Sequence, residues 1–170
     1  MRPLLGRFTL ILVLALTACT EPPITDAVLI AVYEENKKVF RQLVSMCYVD
    51  QALIKDNGTP IRKVTIGADL VEPRGQISPD RHREYHDLFR ELRFPTWISC
   101  TDATVMIGAE GYGEEPRDWA KGYVFRPAED ETSDTTSSLD TRSLLDVAGA
   151  EDKWGLRQIE GEWYLYFITR

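Results

Sequence analysis

The stretch Glu160-Gly161-Glu162-Trp163-Tyr164-Leu165-Tyr166-Phe167-Ile168-Thr169 decides the fold class. Glu160-Gly161 is a two-residue connection of the kind that favours a primed hairpin turn, and it separates two runs of strand composition, residues 153–159 and 162–169. Successive side chains of an extended chain leave on opposite sides. Trp163, Leu165 and Phe167 therefore share one face of the second run, and Tyr164, Tyr166 and Ile168 share the other. Both faces are apolar or aromatic. A sheet covered by helices on one side needs only one such face, so something must cover the second.

Working toward the N-terminus, residues 119–126 and 96–108 also read as strands, and Gly108 to Glu115, rich in glycine, reads as the loop of a hairpin. Residues 63–66 resemble a short strand inside a segment, 48–76, that is otherwise marked only by turns at Asn57-Gly58 and Thr59-Pro60. Two helical patterns precede the strands. In residues 26–46, Val28, Leu29, Val32, Tyr33, Val39, Phe40, Leu43 and Met46 recur at helical spacing, with Asp26 as the expected cap and Glu34–Lys38 as an i,i+4 pair. Ser78-Pro79 opens a second helix by hydroxyl cap and first-turn proline; it should run to Leu92, with Tyr85, Leu88, Phe89 and Leu92 as its buried stripe.

Helices followed by antiparallel strands predict an α+β domain over residues 27–170, with two main helices on one face of a roughly four-stranded antiparallel sheet ending in a C-terminal β-hairpin. Residues 127–152, which include AEDETSDTTSSLD, read as a solvated, mobile acidic loop. No internal repeat is visible.

The first eighteen residues place Arg2 and Arg7 ahead of an apolar run, the pattern of an export signal. At its end Leu16-Thr17-Ala18-Cys19 resembles the lipobox of bacterial lipoproteins. That resemblance covers only the targeting segment. It implies cleavage before Cys19, lipidation of Cys19, and, because Thr20 rather than aspartate follows, residence on the periplasmic face of the outer membrane. Residues 19–26 would then be the lipidated cysteine and a short tether; the seven residues after Cys19 reach only about 25 Å when fully extended.

Such cleavage removes two basic residues and no acid, taking 20 Lys plus Arg to 18 against 27 Asp plus Glu, a net charge of about −9. This surface repels phosphate backbones, which excludes nucleic acid as an expected partner. The two remaining cysteines, Cys47 and Cys100, are disulfide candidates in an oxidising envelope; the alternative is a pair of buried free thiols.

The residues offer little for chemistry. His82 and His86, the only histidines, lie one turn apart on the second helix, but no third His or Cys cluster completes a zinc set, and Arg83 stands where the metalloprotease motif places its glutamate. The acids of the long loop lack EF-hand spacing, and no serine elbow or phosphate loop exists. No catalytic residue, metal or cofactor is assigned. The aromatic strand supplies the site expectation: Tyr123, Phe125, Tyr164, Tyr166 and Ile168 as an open face for a partner. The expected role is a non-catalytic interaction or accessory module of the envelope, held to the membrane by its lipid and bound to another envelope protein. The rivals are a carrier of a small apolar ligand and an acid-based glycan hydrolase.

Overall fold

The computed structural model describes residues 24–56, 58–67, 71–114, 117–126, 136, 138–140 and 153–169. Helix α1, Asp26–Leu53, is longer than its apolar period indicates. Thr25, not Asp26, is the cap: its hydroxyl accepts from the Val28 amide, because the Asp26 carboxylate is committed to the sheet. Asn36 leaves helical geometry and its side-chain amide donates to the Val32 carbonyl at 2.8 Å, which bends the helix there. Glu34 pairs with Lys37 rather than Lys38, and Lys37 also reaches Glu160 of the sheet.

Helix α2, Pro79–Leu92, has the bounds, cap and buried stripe read from its sequence; the Ser78 hydroxyl accepts from the Arg81 amide at 3.2 Å. The two helices are joined by a partly buried polar bridge. Asp50 of α1 accepts from Arg81 Nε at 2.9 Å and from the Tyr85 hydroxyl at 2.6 Å. These charge-assisted bonds replace the hydration that the carboxylate gives up on burial.

The strands are β1, Lys55–Asp56; β2, Thr59–Pro60; β3, Lys63–Gly67; β4, Val71–Glu72; β5, Trp97–Thr101; β6, Val105–Glu114; β7, Arg117–Phe125; β8, Lys153–Glu160; and β9, Trp163–Thr169. β1 and β2 form a small ribbon, and the other seven form one antiparallel sheet in the order β4-β3-β5-β6-β7-β9-β8. Four strands were therefore too few. The stretch 96–108 folds as two strands because Thr101 and Thr104 close a tight turn between them, the Thr101 amide donating to the Thr104 carbonyl at 2.9 Å. Glycine-rich Gly108–Glu114 continues β6 instead of forming a loop, and β3 and β4 extend the other edge.

The C-terminal hairpin forms, but its two-residue turn is Gly161-Glu162 rather than Glu160-Gly161: Glu160 ends β8 opposite Trp163, and Gly161 takes φ 55°. Strand order explains the long segment before it. β7 and β8 both pair antiparallel with β9, which lies between them, so they run in the same direction. The chain must return along the length of the sheet to begin β8, and no short turn can do that. Most of this connection lies outside the described residues, but part of what is described packs against the domain: Leu139 is 2% exposed in the core, and the Thr136 amide bonds the Leu156 carbonyl on the β8 edge, while Asp140 is exposed.

The core lies between the helices and one sheet face. Phe40 of α1 meets Tyr123 and Trp163 at ring-centroid distances of 4.6 and 5.5 Å, and Tyr33 meets Trp163 at 5.3 Å. The disulfide between Cys47 and Cys100 ties α1 to β5.

Candidate functional site

The expected binding face divides between the two sides of the sheet. Tyr123 lies opposite Leu165 and Phe125 opposite Trp163 in the β7–β9 pairing, so both point toward the helices. The Tyr123 hydroxyl donates to the Leu29 carbonyl at 2.9 Å, and Phe125 packs on Trp163 at 5.1 Å. Burial raises the Tyr123 phenol above its ordinary value, so it stays a neutral donor in the core.

Tyr164, Tyr166 and Ile168 do share the opposite face, where Tyr166 and Ile168 join Val124 and Leu156 in a second buried cluster. The described side chains around that cluster, Trp97, Met106, Ala120 and Tyr164, all come from strands. Tyr166, Val124 and Leu156 have no solvent contact, and Tyr164 is the half-buried member of the expected set. This face is thus presented through Tyr164 and the Trp97 indole, with Tyr166 beneath. The Trp97 ring lies over Gly108, where an added Cβ would come within 2.2 Å of it.

The histidines stand beside one another at 4.7 Å between ring centroids, and His82 Nε2 lies 3.0 Å from the Gly67 carbonyl. This bond attaches α2 to the end of β3. Among the described residues no group of three or more His, Cys, Asp or Glu side chains is placed to hold a metal.

A dense charged arrangement among the described residues is one that sequence reading passed over. At the head of α1, Asp26 is fully buried and Lys121 of β7 is 3% exposed. Lys121 Nζ lies 2.8 Å from Asp26 Oδ1, 2.8 Å from Asp140 Oδ1 and 2.8 Å from the Ile24 carbonyl. Asp26 Oδ2 accepts from the Leu139 amide at 2.7 Å and from Arg157 of β8 at 2.9 Å. Asp140 Oδ1 also accepts from the Asp26 amide, and Glu110 of β6 accepts from the Ile24 amide at 2.7 Å. Three parts of the chain meet in this clasp: the segment leading into α1, the crossover before β8, and the sheet.

Burial alone would raise the Asp26 carboxyl, but the bonds from Lys121, Leu139 and Arg157 outweigh it and hold Asp26 below the usual carboxylate range. A general acid needs the opposite shift, so Asp26 does not suit that role in glycan hydrolysis. A signal for the clasp was present in β7. Trp119, Lys121, Tyr123 and Phe125 alternate onto one side of the strand, and a lysine in an aromatic inward row requires an acid partner.

No helix among the described residues is long and apolar enough to cross a membrane. No family model, no curated protein and no solved structure matches the chain.

Proposed function

We propose that the protein is a lipoprotein anchored through Cys19 to the periplasmic face of the outer membrane, where it acts as a non-catalytic interaction module for another envelope protein. The observation that carries this reading is the clasp. Ile24, five residues beyond the lipobox cysteine, is bound by its own amide and carbonyl to Glu110 and Lys121. A chain that leaves an anchor and is at once tied into a buried ion cluster suits a domain held close to a surface. The Cys47–Cys100 disulfide fits an oxidising compartment.

The interaction reading is supported by how the reactive-looking groups are used. Asp26, Asp50, Lys121 and His82 all hold elements of the fold together. What remains available to a partner is amphipathic surface: half-buried Tyr164 and Trp97 on the outer sheet face.

Labelled fatty acid supplied to producing cells should enter the protein, and Cys19→Ser should abolish the labelling. Label retained in that variant would sink the anchor. In-cell cross-linking of the lipidated protein should then capture a dominant envelope partner that Tyr164→Ser loses while keeping the wild-type circular dichroism. Equal capture by wild type and variant would remove this face from the proposal.

A further inference from the structure

Helix α1 has an outer face as well as the inner one that packs on the sheet. Among the described residues the exposed large aliphatic side chains are Val28, Val49 and Leu53, 43%, 50% and 73% exposed, and all three stand on this one helix. At about 100° per residue they fall within roughly 60° of one another, on a stripe completed by the exposed Ala31, Glu35 and Gln42. Apolar residues exposed singly need no explanation, but three on one stripe of one helix mark a contact surface.

The stripe is ordered along its length. Val28 and Ala31 lie toward one end of α1, Val49 and Leu53 toward the other, and the polar residues lie between. The charges are ordered too: Glu34 and Glu35 come before the midpoint, Lys38 stands near it, and Arg41 follows. Glu34 and Glu160 engage Lys37, whereas Glu35, Lys38 and Arg41 make no ion pair among the described residues. A second copy of the helix, turned end for end about a point beside Lys38, brings Val49 against Val28 and Gln42 against Glu35. It also brings Arg41 alongside Glu34 and Glu35, and Lys38 within about one turn of Glu35. A parallel copy would instead set Glu35 on Glu35, Lys38 on Lys38 and Arg41 on Arg41.

We propose that α1 pairs antiparallel with α1 of a second copy of this chain, about a two-fold axis beside Lys38. A two-fold contact needs a surface that complements itself, and this stripe does so in its apolar ends and its charged middle. Anionic lipid suits it less well, because Glu34 and Glu35 would face the headgroups. Two strips of about 40 Å by 10 Å make a contact smaller than a standard stable interface, so the dimer should dissociate on dilution. The pairing needs no lipid at Cys19. It also leaves Trp97 and Tyr164, on the outer sheet face, open to another partner, and so goes beyond the role proposed above.

The test is disulfide trapping in the full-length chain under mild oxidation. Cys47 and Cys100 are buried and paired, and the wild-type chain oxidised in parallel gives the background from Cys19. Lys38→Cys, beside the two-fold axis, should trap a dimer several-fold above that background. Leu53→Cys should stay at background, because the antiparallel arrangement separates the two copies of that position by about 40 Å. An equal mixture of Val28→Cys and Val49→Cys should give a linked dimer that neither variant gives alone. Adding Val49→Asp to Lys38→Cys should cut the trapping several-fold, and the exposure of Val49 lets the fold tolerate the change. No trapping at position 38, trapping at position 53 as strong as at 38, or trapping indifferent to Val49→Asp would each overturn the proposal.

Discussion

Lys121 Nζ lies 2.8 Å from Asp26 Oδ1 with both side chains all but removed from water, joining the first turn of α1 to the middle of β7. Removing two charges from water costs several kcal/mol each, and mutual attraction offsets this only where the remaining hydrogen-bonding positions are filled. Here most of them are: Lys121 also donates to the Ile24 carbonyl and Asp140, and Asp26 Oδ2 accepts from Leu139 and Arg157, while Asp26 Oδ1 is met by the Lys121 charge alone. The pair is therefore one part of a network that binds three chain segments, and its members should not behave independently.

Lys121→Met should destabilise the domain by about 3–5 kcal/mol, because it leaves Asp26 buried beside a single cation. Asp26→Leu combined with Lys121→Met should cost less than the sum of the two single changes, since neither leaves an unmatched charge when the other is present. Equilibrium urea unfolding of the four species measures this coupling. Additive losses would mean that the two residues act through separate contacts.

Acid should weaken the same clasp. Asp26 has a folded-state pKa below its unfolded value, so its contribution is present above the unfolded value of about 4 and is lost as pH falls through the folded one. Glu160 is lowered in the same sense by Lys37 but is solvent-exposed, which leaves it a small share. Urea midpoints measured from roughly pH 6 down to pH 2 should decline below about pH 4, and Asp26→Asn should flatten that decline while lowering the plateau. A decline of equal depth in the variant would assign the acid sensitivity to other carboxylates.

How much of this was legible in the sequence depends on how local each signal is. α2 was read with its bounds and the β8–β9 hairpin to within one residue, because a serine cap, a first-turn proline and a glycine-marked turn act within a few residues. β1, β2 and β4 are two residues each, too short to show a period. The strand break at Thr101–Thr104 has no glycine or proline to mark it. The placement of β9 between β7 and β8 is set by pairing partners distant in sequence, and the same distance hid the clasp: Asp26, Glu110, Lys121, Asp140 and Arg157 meet only once the sheet is assembled. The alternation in β9 was read correctly. The assignment of Tyr123 and Phe125 to the face of Tyr164 failed because it needed the β7–β9 register, which neither strand encodes alone.

Reduction of Cys47–Cys100 should destabilise the protein by about 4 kcal/mol, the chain-entropy value for a loop of 53 residues. Both sulfurs are buried, so a mild reductant should act through unfolding, and the rate of thiol release should follow the unfolding rate. Comparing thermal unfolding of wild type with Cys47→Ala/Cys100→Ala gives the size of the effect. A change of less than about 1 kcal/mol would mean that residual structure already restricts the unfolded chain without the bridge.

The outer sheet face supplies a contrast between two glycines that sit opposite one another in the β6–β7 pairing. A Cβ on Gly122 would stand 2.2 Å from the Ile107 carbonyl and 3.0 Å from the Ala109 amide nitrogen, so the backbones of β6 and β7 would have to separate. A Cβ on Gly108 meets the Trp97 indole instead, also at 2.2 Å, and a half-buried side chain can rotate away where a sheet backbone cannot. Gly122→Ala should therefore cost about 3 kcal/mol, at the upper end of overpacking losses, and Gly108→Ala about 1 kcal/mol. The two should also differ in kind. Gly108→Ala should change Trp97 fluorescence while leaving the β-sheet signal intact, and Gly122→Ala should weaken amide protection along both strands in hydrogen exchange. Equal losses, with Trp97 unmoved in the Gly108 variant, would mean that the indole is held in place by more than its contact with that glycine.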